Sequence, residues 1–228
     1  MQQMAGNLPV KLTTNMVFPE SLQDAHYAPL LAFLRQSRIA FAISSDTHVH
    51  TSVIHEFFLN LHRVIDNDVT ILRSSVGDQP VDITVADIRR ILQLGSDAQE
   101  AGPTVFPKTF VIGALRRMGL VGEVLETHHS VKKSCIIGNW RLLAHLIFAV
   151  FGTRPTGLDE VTFEYLSAMT ALVYNKPFNF SQLIFNKLEE VVLGTSRATV
   201  SIYPRFLMMI LLDLLPVLPL DNARGRRK

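Results

Sequence analysis

Residues 138–151 read GNWRLLAHLIFAVF, and the fold class turns on them. Trp140, Leu142, Leu143, Leu146, Ile147, Val150 and Phe151 leave almost no polar side to a helix of this length. A helix that is apolar on nearly every side belongs inside a protein, so the stretch predicts a central, buried helix from Gly138 to Phe151. Such a helix needs other helices to cover it. The chain has the material: of its 228 residues 48% are hydrophobic and only 18% charged. That excludes a disordered chain and fits one large domain.

Reading outward toward the C-terminus, Gly152 to Gly157 breaks the central helix. Val161, Phe163, Leu166, Met169 and Leu172 then predict a helix from Leu158 to Tyr174. Asn179 or Ser181 caps a further helix to about Leu193, which Gly194 closes. A last helix starts near Pro204 and ends at Pro216. The apolar run from Phe206 to Leu220 contains Asp213, Pro216 and Pro219 and is too short to span a bilayer, which takes about 20 apolar residues.

Reading toward the N-terminus, Pro107 opens a helix that stops at Gly119. Thr84 opens another, with its hydroxyl placed to accept from the amide of Asp87, and Val85, Ile88, Ile91 and Leu92 as the buried face. Val64 to Arg73, the turn residues Gly77, Asp78 and Pro80, and Val81 to Ile83 predict one β-hairpin. Val53, Ile54, Phe57, Phe58 and Leu61 share one side of a helix from Thr51. Ile39 to Ile43 suits a strand or a helical continuation. The first helix runs from about Tyr27 to Gln36 with Asp24 as its cap. The expected class is therefore mainly α: a compact multi-helix domain of about seven helices with one small β-hairpin. Residues 1–20 are an irregular N-terminal arm, 21–220 a single helical domain, and 221–228 a basic tail. The polar loop Ser96–Pro103 is the place where two lobes would part.

Charge is nearly balanced, with 22 Lys and Arg against 20 Asp and Glu. This excludes a strongly basic nucleic-acid binder as a reading of the whole chain. The excess sits in the tail, where Arg224, Arg226, Arg227 and Lys228 occupy four of the last five positions. Arg89-Arg90, Arg116-Arg117 and Lys132-Lys133 are the other basic pairs. Arg116 and Arg117 together with the tail are the candidates for contact with an RNA or DNA backbone.

Enzymatic patterns are missing. The glycines Gly152 and Gly157 have phosphate-loop spacing, but no Lys-Ser/Thr follows. His55-Glu56 begins like a zinc-protease helix, but Leu59 stands where the second histidine must be. His55 and His62 share a helix face but stand two turns apart, too far for one ion, and His48 and His50 have the spacing of two ligands on an extended loop, a pattern more often met in surface or core histidines. A lone cysteine, Cys135, excludes a disulfide framework and a four-thiolate zinc site. Its neighbours His128, His129, Lys132 and Lys133 are of the kind that activates a thiol, whereas Ile136 and Ile137 favour a packed one. The sequence thus predicts no catalytic, cofactor-binding or metal-binding residue and no small-molecule substrate. A single thiol and the absence of an export pattern at the N-terminus predict an intracellular protein, cytoplasmic or nuclear.

One further signal lies in residues 174–185, YNKPFNFSQLIF, followed by 202–207, IYPRFL. This pair of segments resembles a region of plant retrotransposon-derived proteins, gag-like or accessory parts of mobile elements. In order and spacing the likeness extends over about residues 20–212, taking in Phe57-Phe58, Val81-Asp82-Ile83 and Trp140 through His145. The resemblance implies a non-enzymatic interaction or assembly module of mobile-element origin, with no catalytic residues to carry over. Its motif residues are Phe178, Asn179, Phe180, Ser181, Tyr203, Pro204, Arg205 and Phe206. Their physical reading is scaffold: a capped helix start and the entry of the last helix. The expected partner is the chain itself or another protein, met through an exposed apolar face between Leu207 and Leu220. The alternative is nucleic-acid binding by the basic residues.

Overall fold

A computed structural model describes residues 28–153, 159–195 and 201–218. The N-terminal arm with Asp24, most of the loop from Gly152 to Gly157, and the basic tail lie outside the described residues. The described chain is mostly helical. Its elements in order are α1 (Ala28–Arg35), α2 (Ala40–Ser44), α3 (Thr51–Asn60), β1 (His62–Asp66), β2 (Val69–Val76), β3 (Gln79–Ile83), α4 (Val85–Leu92), α5 (Asp97–Glu100), α6 (Lys108–Arg117), β4 (Ser130–Lys132), α7 (Gly138–Phe151), β5 (Glu160–Thr162), α8 (Phe163–Val173), α9 (Phe180–Val192) and α10 (Pro204–Leu214).

The expected count of about seven helices and one hairpin is corrected to ten helices and five strands among the described residues. The segment from Val64 to Arg73, a single strand by its sequence pattern, turns back on itself at Asn67 and Asp68, where φ is +47° and +63°. Gly77 and Asp78 repeat the device at +55° and +61°. Two left-handed residues in succession match the right-handed twist of the strands they join. The result is a three-stranded meander, β1-β2-β3, with Leu72 opposite Ile83 and Val64 opposite Ile71. A second, two-stranded ladder pairs Val131 with Val161. It takes the first turn of the helix expected from Leu158, so that α8 begins only at Phe163. The ambiguous run at Ile39 is helical.

Local chemistry accounts for most boundaries. Thr84 accepts from the Asp87 amide at 3.2 Å while its own amide donates to the Asp87 carboxylate at 3.0 Å, closing both ends of a capping box. Asn179, and not Ser181, caps α9 by accepting from the amide of Gln182 at 2.8 Å. Pro107 stands just before α6, as its cap residue.

The core is one continuous cluster. Helix α7 lies along α8, which also carries α6. On the other side α3 covers β2, and α4 packs against α9 and α10. Leu143, Ile147 and Phe151 are fully enclosed. The segment Ser96–Pro103 holds α5 and closes tightly on the chain before α9: Phe178 donates its amide to the Gln99 carbonyl, and a Cβ on Gly102 would lie 2.1 Å from the Pro177 oxygen.

One expectation is overturned here. Over its described part, to Leu218, the stretch from Leu207 is not one exposed apolar surface, because Leu207, Met208, Ile210 and Leu211 are fully buried and Leu215 nearly so. Only Leu212 and Val217 are large apolar exceptions among the described residues of this stretch. The helix is apolar because α3 and α4 enclose it, not because a partner does.

Candidate interaction site

The motif residues converge, and they do so inside the protein. The Phe178 and Phe180 rings lie 4.8 Å apart, Phe180 is 5.3 Å from Phe151, and Phe206 is 6.0 Å from Phe151. Tyr203, left-handed at φ +52°, donates its hydroxyl to the Phe151 carbonyl. The two motif segments therefore meet on the last residue of α7. Burial holds the Tyr203 hydroxyl well above the usual phenol range.

Two buried charges fasten this region. Glu100, 2% exposed, accepts from the amides of Phe180 and Ser181 at 3.2 and 2.9 Å and from the Ser181 hydroxyl at 2.6 Å. A carboxylate at a helix N-terminus is favoured by the free amides and by the helix dipole. Arg205, 3% exposed, donates to the carbonyls of Ala42 and Ser45 at the end of α2, both at 2.6 Å. Burial pulls its guanidinium down to about 10, which leaves it charged at neutral pH. Pro204 is enclosed at the first position of α10. All eight motif residues are spent on internal contacts or packing, and Asn179 alone among them is partly exposed.

The basic candidates divide. Arg89 is paired with Asp97 at 2.8 Å and Arg90 with Asp213 at 2.7 Å. Lys133 donates to Nδ1 of His145 at 2.9 Å. Arg116 and Arg117, in the last turn of α6, are exposed and form no ion pair among the described residues. Arg224, Arg226, Arg227 and Lys228 lie outside the described residues.

Among the described residues, a polar and an apolar cleft open on the surface. The polar one, about 490 Å³, brings Cys135 together with His128, His129, Lys132 and Glu160. Three of its groups are engaged: Ser130 donates to Glu160 at 2.6 Å, and Nδ1 of His128 accepts from the Leu125 amide at 3.3 Å. The half-buried Cys135 packs against the core and makes no hydrogen bond with its side chain among the described residues. No three of His, Cys, Asp and Glu come together as metal ligands among the described residues.

The second cleft, about 460 Å³, is apolar. Helix α1 supplies Pro29, Leu30 and Phe33, the end of α6 supplies Met118, and the entry of α7 supplies Ile137, Asn139 and Trp140. Gly119 makes the close approach possible: at φ +90° it lies so near Ile137 that a Cβ would stand 2.6 Å from Cδ1. The Val121 amide donates to the Cys135 carbonyl at 2.7 Å, so the two segments run side by side. Ile137 and Val121 remain 44% and 57% exposed. They extend the apolar surface past the cleft. Oδ1 of Asn139 is buried and has no hydrogen-bond partner among the described residues. Asn139 is a polar residue in the first turn of an otherwise apolar helix, a signal local to the sequence, while its place beside α1 and Met118 is set by tertiary packing.

No family model, curated protein or solved structure matches this chain.

Proposed function

We propose that this chain is a non-enzymatic interaction or assembly module, of the plant retrotransposon-derived kind that its FNFS and YPRFL segments resemble. The observation that carries the reading is the apolar cleft between α1, the end of α6 and the start of α7, bordered by exposed Ile137 and Val121. An open apolar cavity of this size suits a bulky side chain of a partner, which is either a second copy or another protein. The burial of Leu207 to Leu211 moves the expected contact away from the C-terminal helix and onto this cleft.

Size-exclusion chromatography with light scattering, at low and moderate salt and with and without RNA, tests the reading. A discrete oligomer or a complex with a partner protein, lost in Ile137→Asp, supports it. A monomer that shifts only with RNA, and only at low salt, replaces it with the nucleic-acid alternative through Arg116, Arg117, Arg224, Arg226, Arg227 and Lys228.

A further inference from the structure

Two of the described lysines are held by oxygen. Lys187 pairs with Glu164 and Glu190 at 3.0 and 2.9 Å, and Lys108 donates to the carbonyls of Glu126 and His128, both at 2.8 Å. Two others, Lys132 and Lys176, are exposed. Lys133 differs from all four. It is half-buried, and its Nζ lies 2.9 Å from Nδ1 of His145 and 5.7 Å from the centre of the Phe148 ring. It forms no ion pair with a carboxylate among the described residues. An ammonium has donors only, so Nδ1 accepts and the imidazole carries its proton on Nε2. The fold builds this contact. Lys133 opens the 3-10 turn Lys133–Cys135, its amide donates to the Asp159 carbonyl at 2.8 Å beside the entry of β5, and α7 brings His145 from twelve residues on.

The surroundings leave this pair to itself. On α7, Arg141 donates to the carbonyls of Ile136 and Ser134; on β5, Glu160 accepts from Ser130; on α8, Glu164 is taken by Lys187, and the Tyr165 ring packs edge-on against Phe148. The Asp159 carboxylate favours the Lys133 ammonium, but burial outweighs it and holds the amine below its ordinary value of 10.5. A lysine drawn partly out of water, with a neutral imidazole at its nitrogen in place of a carboxylate, is arranged as a nucleophile and its base. We infer that Lys133 is a modification site, which takes the acyl group of a thioester with His145 as the proton acceptor. The lone pair of the neutral Nζ attacks the thioester carbonyl carbon. The new C–N bond forms, the C–S bond breaks, and sulfur leaves with the electron pair as a thiolate. Nζ gives one proton to Nδ1 of His145, and the product is a neutral amide at the junction of β4 and α7. This assignment stands apart from the interaction-module reading.

Lys132, exposed and next in the chain, is a built-in reference for the test. The full chain is treated with a limiting amount of the acetyl thioester of N-acetylcysteamine. It is then unfolded, its remaining amines are capped with deuterated acetic anhydride, and the two labels are counted at each lysine by fragmentation of chymotryptic peptides. At neutral pH the thioester label on Lys133 is expected to exceed that on Lys132 and Lys176 about fivefold or more. The ratio of Lys133 to Lys132 is expected to fall below pH 6.5, as His145 takes up a proton and ceases to be a base. In His145→Gln, which keeps an acceptor for Nζ but no base, the ratio falls toward one while Lys132 is labelled as before. Equal or slower labelling of Lys133 in the wild-type chain overturns the assignment. So does a high ratio that neither acid nor His145→Gln moves, since the imidazole then takes no part. If His145→Gln does not fold, the wild-type ratio and its pH profile decide alone.

Discussion

Glu100 shows how much a single side chain can be asked to hold. It is an ionisable group taken almost wholly out of water, and three donors from the start of α9 compensate it. Glu100→Gln keeps the shape but turns one acceptor oxygen into a donor that faces other donors. It is expected to destabilise the fold by about 2–4 kcal/mol, measured by urea denaturation. His145 sets a second, pH-dependent term. Burial first, and then the Lys133 ammonium, hold its imidazole below the ordinary value of 6.5. A folded-state value below the unfolded one means that stability is complete above pH 6.5 and is lost as pH falls through the folded value. The melting temperature is expected to drop on that acid side, and His145→Gln, which still accepts from Lys133 without titrating, should flatten the drop. At this scale the sequence was legible where partners are close along the chain. Thr84 with Asp87 and Asn179 with Gln182 lie three residues apart, whereas Ser181 finds Glu100 81 residues away, and no local pattern announces it.

Among the elements, helices read well and strands less so. The periodic faces of α3, α4, α6, α7 and α9 are visible because helical spacing is imposed by the backbone alone. The meander was read as one hairpin because Asn67-Asp68 lacks the glycine that usually marks a left-handed turn, and the first two strands merged. The same fact yields a test. Asp68 at φ +63° occupies a conformation that glycine adopts without a Cβ penalty. Asp68→Gly is therefore expected to stabilise the β1-β2 turn by about 0.5–1 kcal/mol, read as a rise in the urea midpoint. β4 and β5 are three residues each, too short for a period to show. They exist because Val131 and Val161 meet across the entry of α8, a tertiary fact.

For the molecule as a whole, composition announced a large helical core, and the core is there. What composition does not state is which apolar surface the fold leaves open. The C-terminal run looked like an adhesive face and is an internal strut; the cleft at Trp140 is assembled from three separated stretches, so no window of sequence contains it. The two assignments separate by mutation. Leu212→Glu, at a position 52% exposed, is expected to leave both melting temperature and oligomeric state unchanged. Leu207→Glu, at a fully buried one, is expected to cost more than about 4 kcal/mol and to give little soluble protein.

The pairing of α4 with α9 and α10 also sets a schedule for the chain on the ribosome. Helix α3 and the meander that follows it form one contiguous block, and their mutual contacts are available as soon as Ile83 has been made. The apolar side of α4 gains its cover only when α9 and α10 arrive; Arg90 waits 123 residues for Asp213. Through that interval Ile88, Ile91 and Leu92 face the solvent of the cell or the binding groove of a chaperone. A nascent chain stalled before residue 180 should be held by such a chaperone, and one released past Leu214 should not.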